Sequence, residues 1–251
     1  MEFVHRTDVG KKRNINEDYL EVTEKAEQLH LAVLADGMGG HNAGDVASEL
    51  AVRFLTDRFQ KSDLRADSEA NLVSMWLKEA YEGANERINR IAESDPSCKG
   101  MGTTLIAAVF QANQVTFAHI GDSRVYLFSK GEIKPLTKDH SYVNVLLDSG
   151  EINEEQARNH PKKNMLMKAI GTEVNIDPDI LSIKLRQGEI ILMCSDGLSN
   201  KVTPEQMVHI LSESVSLEAK VDAFVQLANA EGGEDNISII LCCMKAGEEA
   251  C

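Results

Sequence analysis

The sequence is short of positive charge: 26 Lys and Arg stand against 40 Asp and Glu, for a net charge of −14. That deficit argues against a binder of nucleic acid or of anionic membrane, both of which require a basic face. No apolar run approaches the roughly 18 residues that read as a membrane-spanning helix. The opening stretch MEFVHRTDVGKKRN lacks the apolar segment of a signal peptide. Cysteine is sparse as well. Cys98, Cys194, Cys242, Cys243 and Cys251 form an odd set without CxxC spacing, so neither a disulfide framework nor a zinc ribbon is expected. The seven His show no HxH or HExxH pairing, which removes the usual zinc spacings. Repeats, low-complexity tracts and linkers are missing too. The expectation is one domain spanning 1–251, with reduced thiols, in the cytoplasm.

What is present alternates β and α blocks. His5 to Val9, Tyr19 to Thr23 and Leu31 to Ala35 read as strands, the last as a buried apolar run that ends at Asp36 and opens into a Gly-rich loop. From Asp45, Ala47, Leu50, Ala51, Phe54 and Leu55 fall at helical spacing. Val73, Leu77, Ala80, Ala84, Ile88 and Ile91 do so over a longer helix from about Ser68 to Ala92, and that stripe is core. Thr103 to Phe110, Val115 to Ile120, Arg124 to Phe128 and Ile133 to Leu136 form short strands of an antiparallel meander. Residues 139–175 are polar and weakly periodic, and are read as a flap. Two strands follow, at Ile180 to Leu185 and Ile190 to Cys194. A helix capped at Thr203-Pro204-Glu205-Gln206, another from Leu217 to about Ala230, and a strand from Ile237 to Cys243 complete the chain, with a frayed tail from Lys245. Helices covering an antiparallel β-sandwich are the expected architecture.

Four acidic residues repeat one pattern. Asp36, Asp122, Asp196 and Asp235 each stand at the edge of a hydrophobic strand beside Gly or Asn. Any one alone reads as a turn. If the sandwich brings those strand ends together, the carboxylates cannot all stay ionised without compensation, and divalent cations supply it. Oxygen-only ligands favour Mg²⁺ or Mn²⁺. Gly37 is expected to bind metal with Asp36. In RNINED, Arg13 could hold phosphate oxygens in a bidentate fork, and Glu17 could reach a metal directly or through water. Metal plus arginine reads as hydrolysis of a phosphate ester.

RNINED, ADGMGG, MGTT, GDSR, CSDGL and EDNIS occur in this order along the whole chain. In this the sequence resembles the metal-dependent serine/threonine protein phosphatases of type 2C, in their short bacterial form with a flap. The resemblance implies an α+β, four-layer α-β-β-α sandwich with a dinuclear Mg²⁺ or Mn²⁺ site. It implies that Asp36 bridges the two ions, that Gly37 lends its carbonyl, and that Asp196 and Asp235 complete the other site. Glu17 and Asp18 would support through water, Asp122 with Asp196 would hold a third ion, and Arg13 would clamp phosphate. Gly102 to Thr104 and Asn236 would support the site.

One departure is Met38, where many eukaryotic members carry a histidine proposed as general acid. A thioether donates no proton. His41 is the nearby substitute, with metal-bound water as the alternative. The expected mechanism is a single in-line displacement by a metal-bridging hydroxide, with no phosphoenzyme, since no cysteine sits in a CxxxxxR loop. Expected partners are phosphorylated proteins and a cognate bacterial serine/threonine kinase, with the chain a monomer. The rivals are a non-catalytic module of the same fold and a two-metal phosphodiesterase.

Overall fold

The computed structural model describes residues 1–39 and 43–244. Eleven strands are described: β1 (Glu2–Asp8), β2 (Asp18–Ala26), β3 (Leu29–Met38), β4 (Gly102–Thr103), β5 (Leu105–Gln111), β6 (Gln114–Ile120), β7 (Arg124–Ser129), β8 (Glu132–Pro135), β9 (Asp179–Lys184), β10 (Ile190–Cys194) and β11 (Ile237–Cys243). The helices are α1 (Gly44–Gln60), α2 (Ala70–Ser94), α3 (Tyr142–Asp148), α4 (Glu154–Arg158), α5 (Asp196–Ser199), α6 (Pro204–Ser212) and α7 (Leu217–Ala230). One antiparallel sheet runs β1-β11-β10-β7-β8. The other runs β2-β3-β5-β6-β9, with β4 paired to β3.

Alternation along the buried strands builds the layers. On β3, Leu31, Val33 and Ala35 face α1 and α2, where Ala47, Leu55, Leu77 and Ala84 meet them. Ala32 and Leu34 point the other way, into a slab shared with Ile106, Val125, Met193 and Ile240 between the sheets. Beyond the second sheet, Leu192, Ile239 and Leu241 pack on Met207, Val221 and Phe224 of α6 and α7. With apolar partners on both faces, these strands show no polar alternation, which is why each reads as a continuous hydrophobic run. The order is α-β-β-α.

Two expectations need correction. The strand through Leu31 to Ala35 does not stop at Asp36. It continues to Met38, because Gly37 and Met38 pair with Thr103 and Gly102. Nor do the four middle strands form one meander: β5 and β6 belong to one sheet and β7 and β8 to the other. The chain changes sheet at Gly121, whose φ of +112° suits glycine and whose Cβ would lie 2.5 Å from the Thr104 side chain. The tail from Lys245, read as frayed, lies outside the described residues. Between β8 and β9 the chain carries α3 and α4; the Ser141–Leu166 bridge closes this segment on itself, and the Thr103–Ile170 bridge ties it to the body. The capping box at Thr203 and Gln206 is formed as read.

Candidate metal centre

Each acidic residue is held by its own local construction. Asp36 lies opposite Asp18 in the β2–β3 ladder. Its amide donates to Thr104 Oγ1 at 3.0 Å, while its carbonyl accepts from Thr103 Oγ1 and the Thr104 amide, both at 2.9 Å. The two threonines of MGTT therefore fix Asp36 from the side. Thr104 Oγ1 also lies 2.8 Å from Ser123 Oγ, joining this strand to the loop that carries Asp122. Asp196 begins α5, where Asn200 Nδ2 donates to its Oδ2 at 3.1 Å. Asp235 accepts its neighbour's amide, Asn236 N, at 2.9 Å.

The N-terminal loop is bound to the far end of the chain. Asn236 donates to the carbonyls of Val9 and Ile15, at 2.9 and 3.0 Å, and accepts the Glu17 amide at 2.8 Å. The Gly233 carbonyl accepts from the Lys11 and Lys12 amides. These bonds bring Arg13 and Glu17 to the cluster. Arg13 Nη2 donates to Asp235 Oδ2 at 2.9 Å, and its Nη1 lies 3.4 Å from Glu17 Oε2. Backbone packs closely beside them: a Cβ on Gly37 would lie 2.0 Å from the Gly44 carbonyl oxygen.

The carboxyl groups report one another's charge. Burial first, then Asp18, Asp196, Asp122 and Asp235, hold Asp36 well above the ordinary carboxylate range. Burial raises Asp18 and Asp122 to about 7, with Asp196 adding to both. Asp196 is raised to about 6 by burial and by Asp235, although a hydrogen bond from the Asp36 carboxyl works the other way. Protons are thus shared among groups that would otherwise repel. Asp18 Oδ2 accepts from Ser195 Oγ at 2.8 Å, but its Oδ1 is buried with no partner. An all-oxygen donor set with an orphaned carboxylate oxygen and shared protons suits hard divalent cations. Beside the cluster lies a cavity of about 850 Å³, lined by Asp122 and Asp196 on one side and by Val143, Leu147 and Ala157 of α3 and α4 on the other.

The structure therefore brings together Arg13, Glu17, Asp18, Asp36, Gly37, Asp122, Asp196 and Asp235. His41 lies outside the described residues. Sequence reasoning missed Ser195, Asn200 and the Arg124–Asp139 pair. Arg124 donates to both Asp139 oxygens, at 2.8 and 2.7 Å, fastening the root of the flap to the strand after Asp122. Ser195 and Arg124 sit inside CSDGL and GDSR, so the signal was present there. Nothing local marks Asp139.

A family profile described as protein phosphatase 2C matches residues 10–238. The serine/threonine phosphatase stp of Listeria welshimeri serovar 6b is 43% identical over 94% of this chain and 93% of its own length. The S. agalactiae serine/threonine phosphatase has a similar structure, with a TM-score of 0.93 at 36% identity, covering 97% of this chain and 99% of that one. The catalytic domain of the serine threonine protein phosphatase PstP, solved in complex with 2 manganese ions, gives a TM-score of 0.83 at 33% identity over 96% of both chains. Alike over nearly its whole length in sequence and in fold, the chain belongs to the protein phosphatase 2C family.

Proposed function

We propose that Asp36, Asp196 and Asp235, with the Gly37 carbonyl, hold two Mn²⁺ or Mg²⁺ ions at which phosphoserine and phosphothreonine of proteins are hydrolysed. As a member of its family the chain is a metal-dependent serine/threonine phosphatase acting on phosphoproteins. The convergence of Asp18, Asp36, Asp122 and Asp196, each raised by burial and by the charge of its neighbours, beside Asp235 is the observation that carries the site assignment. When bound, the cations supply Lewis acidity that readies water for attack and offsets phosphoryl charge. Glu17 and Asp18 support from the sides, and Asp122 with Asp196 offers a position for a third ion.

The Arg13 guanidinium is held between Asp235 and Glu17 at the edge of the acidic cluster. From there it would fork onto the phosphoryl oxygens of a substrate bound at the cluster. Met38 leaves the proton for the departing hydroxyl to His41 or to ordered water. The cavity under α3 and α4 is where the residues beside the phosphorylated one would lie, so the flap, about 139–175 of one phosphatase domain, selects substrates. We place the enzyme in the cytoplasm as a monomer, reversing a serine/threonine kinase.

The test is Mn²⁺-dependent hydrolysis of a phosphothreonine peptide, p-nitrophenyl phosphate and a phosphodiester, with EDTA as control. Turnover of the peptide that EDTA abolishes is expected. Preference for the diester, or EDTA-resistant turnover, overturns the proposal.

A further inference from the structure

A second group of donors has no part in that chemistry. His119 on β6 and Asp179 on β9 are register partners across an antiparallel pair, so their side chains leave the sheet on the same face. His140, at the root of the flap, stacks on His119 with ring centroids 4.9 Å apart. Its Nε2 lies 3.2 Å from Asp179 Oδ2. One donor atom from each of the three falls within 4.8 Å of the others. Beside them a cavity of about 470 Å³ opens between the edge strands β8 and β9, with Pro135, Leu136 and Leu181 in its wall.

His119 is the anomaly. It is 1% exposed, and neither ring nitrogen makes a hydrogen bond of good geometry. Buried polar atoms in folded proteins are nearly always satisfied, so an exception of this kind calls for an explanation. Burial, helped by His140 and opposed by Asp139, Asp179 and the Ser123 backbone, pushes its pKa down to about 4. At neutral pH the ring is uncharged and keeps a lone pair that a metal ion can take.

We infer that His119, His140 and Asp179 form a separate transition-metal site for an ion of the zinc class. Two imidazoles and one carboxylate suit Zn²⁺, Co²⁺ or Ni²⁺, whereas Mg²⁺ and Mn²⁺ go to the all-oxygen cluster. Three protein ligands leave a fourth position facing the cavity, open to water. No HxH spacing announces the site, because its ligands come from β6, β9 and the flap root. Occupancy has a definite cost. His140 Nδ1 accepts the Gly121 amide at 3.2 Å. With Nε2 on the ion, the neutral ring carries its proton on Nδ1, and that amide loses its acceptor. Gly121 directly precedes Asp122, so the ion is felt in the loop at the edge of the acidic cluster.

The experiment is a Co²⁺ titration of the whole protein in excess Mg²⁺, which fills the oxygen sites, followed by visible absorbance. The expected result is one four-coordinate Co²⁺ per chain, displaced by Zn²⁺. Asp179→Asn, at an exposed carboxylate, and His119→Phe should each weaken it by at least about tenfold. Asp36→Asn should leave the signal in place. If the absorbance keeps its midpoint in both ligand variants, or disappears in Asp36→Asn, the site does not exist. Melting temperatures of the variants separate loss of a ligand from loss of the fold.

Discussion

Replacing Asp18 by Asn should stabilise the metal-free protein at alkaline pH and change little in acid. Asp18 is 5% exposed and faces Asp36 across the ladder. Burial, with the charges of Asp196 and Asp235 behind it, lifts its pKa from 3.8 to about 7, against hydrogen bonds from Ser238 and Ser195. The folded protein therefore favours the protonated acid. Stability from this source is full below about pH 4, where the unfolded chain is protonated too, and is lost as pH rises toward 7. A shift of about three units, at about 1.4 kcal/mol each, corresponds to roughly 4 kcal/mol at pH 8 for Asp18 alone. Protons redistribute within the coupled cluster and the buried amide carries its own desolvation cost, so about half, roughly 2 kcal/mol, is the expected gain. The amide retains an oxygen for Ser195 and places an N–H donor where Oδ1 now has no partner. In a chain of this size about 2 kcal/mol raises Tm by roughly 4–8 °C. The assay is thermal unfolding in EDTA at pH 4 and pH 8. An equal shift at both pH values, or a lower Tm at pH 8, would refute the reasoning.

Asp196→Asn should cost about 10²–10³ in turnover while the fold survives in EDTA. Full phosphatase activity in both the variant and the metal-stripped protein would remove the metal route. Asp122→Asn should weaken only a looser third ion, seen as a displaced Mn²⁺ titration of activity. A curve identical to wild type at every concentration takes Asp122 out of the set. Arg13→Ala gives up charge-assisted bonds worth about 1.5–3 kcal/mol each, so kcat/KM on a phosphopeptide should fall by about tenfold or more. An unaltered value contradicts the clamp. Gly37→Ala forces a Cβ to within 2.0 Å of the Gly44 carbonyl oxygen. Overpacking of that kind costs at least about 1–3 kcal/mol, which a thermal melt detects, and an unchanged Tm would mean that this backbone gives way easily.

The parts legible in the sequence were those with a local cause. The α2 stripe, the α6 capping box and the α7 and β11 spans follow from spacing alone, and their register needs no knowledge of distant neighbours. Asp36, Asp122, Asp196 and Asp235 were visible because the same polar residue recurs at one end of an apolar run, after it for the first three and before it for Asp235. What stayed hidden depends on pairing across the chain. β3 runs past Asp36 only because Gly102 and Thr103, far along the sequence, supply its partner. The change of sheet at Gly121 depends on Thr104 crowding the turn. Asp139 looks like any loop acid until Arg124 meets it, and His119 looks like an ordinary strand residue until β9 sets Asp179 opposite.

The bonds made by Asn236 have a consequence for the order of events in synthesis. β1 pairs with β11, and the loop bearing Arg13 and Glu17 is tied down by the side chain of Asn236, 219 residues beyond Glu17. A chain still emerging from the ribosome has made its arginine first but has nothing to seat it on. Such long-range closure folds slowly compared with local structure. The Arg13 loop is therefore seated only once residue 236 has been made, and a product cut short before that residue would release no stray phosphatase.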